Sequence, residues 1–149
     1  MVRVRPCSRE DLRTVTQLAQ KYTAFDVKPT FADIESMHSR NPEYFFVAED
    51  DQRRIVGFIT GYERKGIPEE VLRTWNVKKV GYVDLMAVDV SHRGMGVGRT
   101  LMKTLLDRFR RDGIDIVNLD VPGGQEAALG LYRNLGFSIR AYNMRKRLS

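Results

Sequence analysis

Hydrophobic positions along this chain switch between two periods, two residues and about 3.6 residues, which mark strands and helices respectively. Val2-Arg3-Val4-Arg5 alternates and predicts a first strand. Ser8 followed by Asp11 resembles a capping-box start, after which Leu12, Val15, Leu18, Ala19 and Tyr22 share one face of a helix. A shorter helix is predicted after Thr30, with Phe31, Ile34 and Met37 on its buried side, ended by Asn41-Pro42. Tyr44 to Glu49 and Ile55 to Thr60 read as strands joined by the polar stretch Asp50 to Arg54, an antiparallel hairpin. Glu63 to Lys79 reads as a long charged loop holding Pro68 and Trp75; such loops are often functional, and packing of Trp75 over the core is the alternative.

The second half carries the clearest pattern. Val80 to Val88 is strand-like, Val97 to Asp112 helical and Ile114 to Val121 strand-like again. Within that helix Val97, Leu101, Leu105 and Phe109 form a core stripe widened by Met102 and Leu106, and Gly113 supplies a left-handed stop. A last helix runs from about Gln125 to Leu135, and Phe137 to Met144 returns as a final strand. The elements predict an α/β fold in which a mixed central sheet of about six to seven strands is flanked by about four helices.

The 149 residues, without internal repeat or low-complexity linker, fit a single domain, 1–149. With 42% hydrophobic and 30% charged residues the chain has ordinary globular composition, and no apolar run approaches the roughly 20 residues of a membrane span. The first residues lack the pattern of a secretory signal, so a cytoplasmic location is expected. A single cysteine, Cys7, excludes an intrachain disulfide and reads as buried and inert, and two histidines, His38 and His92, do not suggest a metal cluster; no metal is expected. The net charge of +6 calls for an anionic ligand without naming it. Base-stacking aromatics are not interleaved with the basic residues, so nucleic acid is not the favoured partner.

Gly94, Gly96 and Gly98 lie between the strand ending near Val88 and the helix beginning near Val97. Missing side chains let backbone amides approach an anion, and the helix N-terminus favours negative charge. Arg93 and Arg99 flank this turn and can add charge-assisted hydrogen bonds to phosphate. A P-loop does not fit, because Arg93 stands at its first glycine and Arg99 at its lysine. A dinucleotide fingerprint does not fit either, since Arg99 occupies its third glycine. A turn that is merely tight remains the simpler use of these glycines.

Val83-Asp84-Leu85-Met86-Ala87-Val88, followed by Arg93 through Gly98 opening a helix, resembles the acetyl-CoA-binding motif of GNAT-type N-acetyltransferases. Gln125, Ala128, Leu131-Tyr132 and Leu135-Gly136-Phe137 resemble that family's later helix, and the element order agrees over nearly the whole chain. Gln125 stands where the family often has asparagine, and Asp84 where many relatives carry glutamate. The resemblance implies a GNAT-like fold and transfer of acetyl from acetyl-CoA to a primary amine, either a small molecule or a peptide or protein amino group. It implies a cofactor site of Met86, Ala87, Val88, Arg93, Gly94, Met95, Gly96, Val97, Gly98, Arg99, Gln125 and Tyr132. Tyr132 is the implied acid for the leaving thiolate and Asp84 a candidate base. The acceptor groove would lie along Tyr22 through Phe31 and Glu63 through Trp75. Two alternatives stay open: an acyl-CoA sensor without transfer, and a ribosomal-protein N-terminal acetylase. Assembly as a homodimer is also compatible with the sequence.

Overall fold

A computed structural model describes residues 1–23 and 26–149; Ala24 and Phe25, part of the expected acceptor groove, lie outside the described residues. Five strands form one mixed sheet in sequence order: β1 (Arg3–Pro6), β2 (Phe45–Glu49), β3 (Ile55–Arg64), β4 (Val80–Val88) and β5 (Ile116–Asn118). The first four run antiparallel to their neighbours and β5 lies parallel to β4. Five α-helices accompany them: α1 (Leu12–Tyr22), α2 (Phe31–Arg40), α3 (Glu69–Trp75), α4 (Val97–Arg111) and α5 (Glu126–Asn134).

Both faces of the sheet are covered, and the pleat assigns each strand residue to a face. Phe46, Ala48 and Ile59 pack with Val97, Leu101, Leu105 and Phe109 of α4 on one side. Phe45, Val47 and Phe58 pack with Leu12, Val15, Leu18, Ala19 and Ile34 of α1 and α2 on the other. All five residues of β2 are therefore buried. Cys7 belongs to the second cluster, and burial pushes its thiol up to about 12, leaving it protonated and inert at neutral pH.

Several sequence expectations are corrected. Among the described residues the sheet has five strands, not six to seven, and the chain five α-helices, not about four. Phe137 to Met144 forms no strand: apart from Phe137, which packs on the α4 cluster, the segment is exposed and gains no second apolar face to bury. Glu63 to Lys79 is not all loop, since β3 continues to Arg64 and the segment contains α3. The strand expected over Ile114 to Val121 pairs only at Ile116–Asn118. Phe31 is 37% exposed rather than buried, held under the guanidinium of Arg13, which lies 5.4 Å from its ring centroid. No helix among the described residues is long and apolar enough to cross a membrane.

The start of the chain is clamped by charge. Arg5 makes a forked contact with Asp11 at 2.8 and 3.0 Å and also donates to Glu49 at 3.1 Å, joining β1 to β2 and to the turn before α1. Burial works to raise the carboxyl of Asp11, but Arg5 and the amide of Ser8 outweigh it and hold it below the usual range. Hydrogen bonding to Arg5 likewise lowers Glu49. Depressed carboxylates contribute stability above their unfolded values, near about 4, and lose it as pH falls through the lower folded values. Arg5→Met should therefore melt well below the wild type at pH 7, with the gap closing below about pH 4; thermal melts at pH 7 and pH 3 check this.

Candidate active site

The site begins with a failure of strand pairing. β4 and β5 pair only from Val80–Ile116 to Tyr82–Asn118. Beyond that point Val83 to Val88 and Leu119 to Pro122 face each other across a cleft of about 520 Å³. The β4 edge turned toward β5 thus carries backbone amides and carbonyls without a strand partner, an arrangement that accepts an extended ligand as an added strand.

A bulge in β4 sets what the cleft receives. Leu85 faces Thr60 and Val83 faces Gly61, leaving Asp84 as the extra residue. Val83, Met86 and Val88 pack toward α4, whereas Leu85 and Ala87 belong to the α1–α2 cluster, so the alternation slips by one residue at Asp84. Asp84 forms no ion pair among the described residues and lines the cleft. Burial raises its carboxyl above the ordinary range, offset in part by the charge of Arg40. A raised carboxyl disfavours the folded state as pH rises through it, so Asp84→Asn should raise the melting midpoint at pH 7 and lose this advantage near about pH 4. A lowered midpoint at pH 7 would contradict this burial of charge.

At the top of β4 the chain turns through Gly94 and Gly96, whose φ values of 79° and 81° lie in the left-handed region that glycine enters without strain. Gly96 caps α4 with no side-chain hydrogen bond, and its carbonyl accepts from the Thr100 amide at 3.0 Å. The amides of Val97, Gly98 and Arg99 are left without intrahelical acceptors and open the helix with positive potential. Gly98 lets the helices approach closely: a Cβ there would stand 3.3 Å from Leu131 Cδ2, a tight contact. Close approach of α4 to α5 brings Ala128, Leu131 and Tyr132 onto the cleft wall.

Of the cofactor-site residues expected from sequence, Met86, Ala87, Val88, Arg93, Gly94, Gly96, Val97, Gly98, Arg99, Gln125 and Tyr132 all line this cleft, as does Asp84. Met95 does not; it is 68% exposed and borders a neighbouring hollow beside Asp50 and the N-terminus. Burial raises the Tyr132 phenol, keeping it protonated at neutral pH, and its ring meets Phe137 edge-on at 5.9 Å.

Other residues reach the cleft beyond the expected cofactor set. Tyr22, at the end of α1, lies beneath Arg93, whose Cζ is 5.0 Å from the ring centroid, while Arg93 Nε donates to the Val88 carbonyl at 3.2 Å. Tyr82, in the last paired position of β4, donates a short hydrogen bond to Asp120 on the cleft wall, and its phenol is raised by burial and by that bond. Asp120 to Pro122 follow a strand of a β-α-β unit, and ligands of α/β sheets gather at such carboxyl ends. That rule could have flagged them, whereas Tyr22, expected at the edge of the acceptor groove, comes to the glycine turn by tertiary packing.

A family model described as the acetyltransferase (GNAT) family matches residues 12–137. The chain belongs to the GNAT acetyltransferase family. N-alpha-acetyltransferase 30 of Schizosaccharomyces pombe is 28% identical over 139 residues, 92% of this chain and 84% of that protein. The protein of the same name from Saccharomyces cerevisiae is 34% identical over 62 residues, 42% of this chain and only 35% of that protein's length. Among solved structures, Ard1 from Thermoplasma volcanium superposes with a TM-score of 0.78 at 30% identity, covering 94% of this chain and 84% of that one. A NatC complex bound to Gag peptide and CoA gives 0.80 at 23% identity over 96% and 87% of the two chains. This GNAT domain is an acyltransferase that uses acetyl-CoA as donor and an amine as acceptor.

Proposed function

We propose that this domain acetylates the α-amine of a peptide or protein N-terminus, with Tyr132 and Asp84 as its acid and base. The observation that carries the reading is one cleft combining the glycine turn, the unpaired β4 edge, the bulged Asp84 and the half-buried Tyr132. The peptide acceptor is supported by the N-alpha-acetyltransferase aligned over most of the chain.

In this mechanism the first-turn amides of α4, with Arg93 and Arg99, hold the cofactor pyrophosphate, and the pantetheine arm pairs along Met86 to Val88. Main-chain donors there steady and polarise the thioester carbonyl. Asp84, directly or through water, takes a proton from the acceptor ammonium, and the neutral nitrogen attacks the carbonyl carbon. The carbon–nitrogen bond forms and the carbon–sulfur bond breaks; the Tyr132 hydroxyl gives its proton to the departing thiolate, and the second proton of the acylated nitrogen passes through water to the tyrosinate, yielding CoA thiol, the neutral amide and a restored phenol. The raised carboxyl of Asp84 suits a base, and the raised phenol of Tyr132 suits a group that stays protonated until the thiolate forms.

Thiol release from acetyl-CoA across N-terminal peptides, free amino acids, polyamines and aminoglycosides tests the reading. Peptides should give the highest kcat/KM; preference for a free small amine would overturn the acceptor class. CoA binding without release on any acceptor would point to a sensor.

A further inference from the structure

Two arginines line the cleft beside the glycine turn, and the fold treats them differently. The side chain of Arg99 makes neither an ion pair nor a cation–π contact among the described residues. Arg93 is exposed as well, yet its guanidinium is held twice. Its Nε donates to the Val88 carbonyl at 3.2 Å, and its Cζ lies over the Tyr22 ring, 5.0 Å from the centroid. With Nε engaged by the last residue of β4, the two terminal nitrogens remain available to a ligand in the cleft.

Tyr22 is well placed to hold that guanidinium. It is the last residue of α1, half-buried, and packs on the cluster of Leu18, Ala19 and Ile34, so its ring has a fixed base. The same residue, with Thr23, lines the cleft. That cluster lies on the opposite face of the sheet from α4, and Tyr22 therefore ties the α1 layer to the turn that opens α4. A leucine would serve the apolar packing; an aromatic ring adds a face on which a guanidinium stacks. Lys21 Nζ lies 5.4 Å from the same centroid, so this corner gathers positive charge around a neutral ring and favours an anion. An exposed arginine loses rotamer freedom when it binds, and a ring and a carbonyl that already orient it lessen that loss.

We propose that Tyr22 is a positioning residue for the donor: its ring holds the Arg93 guanidinium with the terminal nitrogens presented to the cofactor's pyrophosphate. The inference rests on the pyrophosphate site argued above. Tyr22 acts through Arg93 and contributes to donor affinity only while that arginine is present. Arg99 has no such support and adds charge without a fixed direction.

Calorimetric titration with CoA and with 3′-dephospho-CoA, which keeps the pyrophosphate, tests this without an acceptor. Tyr22→Leu should weaken both ligands by the same factor, about fivefold or more, whereas Tyr22→Phe keeps the ring and should stay within about twofold of wild type. In an Arg93→Ala background, itself weakened, Tyr22→Leu should cost no more than about twofold further, because the interaction it supports is already gone. A general disturbance of α1 would instead add to the Arg93→Ala loss, and that result overturns the positioning role. Loss in Tyr22→Phe equal to that in Tyr22→Leu overturns it too. Loss on CoA but not on 3′-dephospho-CoA would place Arg93 on the other phosphate and overturn it as well. Each of these leaves the glycine turn as the pyrophosphate site, whereas unchanged affinity in Arg93→Ala alone would remove both the proposal and the role given to Arg93 there.

Discussion

Tyr132→Phe should lower kcat by about a hundredfold or more while the dissociation constant for acetyl-CoA stays within about threefold. The phenol lies in the cleft, kept protonated by burial, and its ring packs against Phe137. Phenylalanine preserves that ring and removes only the hydroxyl, so the wall of the site and the cofactor's contacts survive. What disappears is the proton for the departing thiolate. An interaction made only as the carbon–sulfur bond breaks contributes to kcat and not to ground-state binding. Stopped-flow or steady-state turnover beside calorimetric CoA titration separates the two. Affinity lost with turnover unchanged would make Tyr132 a wall residue and leave the acid unassigned.

Gly96→Val should weaken acetyl-CoA binding by about tenfold or more with a smaller effect on folding. A Cβ at Gly96 meets no protein atom within 4 Å, so the substitution creates no clash in the free protein. The difficulty is the φ of 81°, which a β-branched residue resists; a left-handed conformation costs roughly 1–2 kcal/mol for ordinary residues and more for valine. The turn relieves that strain by rotating, and the amides of Val97 and Gly98 then lose their common aim. Each 1.4 kcal/mol of misaligned interaction is about tenfold in affinity. Unchanged affinity in a folded variant would show that the pyrophosphate does not depend on this turn.

The stretch from β4 through α4 was legible in the sequence because its chemistry is local. A strand, a glycine turn and a helix are encoded by consecutive residues, so Val80 to Val88, Gly94 to Gly98 and α4 could be placed within a residue or so. Capping did the same for α2, where Thr30 and Asp33 satisfy each other's amides as a capping box. The errors fall where structure depends on partners. Phe137 to Met144 has strand-like composition, but only pairing makes a strand, and the short β5 ends at Asn118. Asp84 was visible as a carboxylate; that it is the extra residue of a bulge depends on its register with Thr60 and Gly61 on another strand. Arg93 was readable as a phosphate ligand, whereas the Tyr22 ring beneath it comes from a helix about seventy positions earlier in the chain.

The same distinction separates the cofactor from the acceptor. The proposed acetyl-CoA site is a continuous segment and a strand edge, which sequence can announce. The proposed acceptor side has no such continuous motif, since Asp84 lies on β4 and Asp120 after β5.

The central claim is that acetyl-CoA occupies the opening between β4 and Leu119–Pro122 with its pyrophosphate on the glycine turn. A crystal structure with a non-hydrolysable acetyl-CoA analogue tests this directly. Phosphate oxygens should lie within hydrogen-bonding distance of the Gly94 to Arg99 amides, the arm should pair with Met86 to Val88, and the sulfur should lie next to the Tyr132 hydroxyl. An analogue bound outside this cleft, or bound within it with its sulfur far from Tyr132, would contradict it.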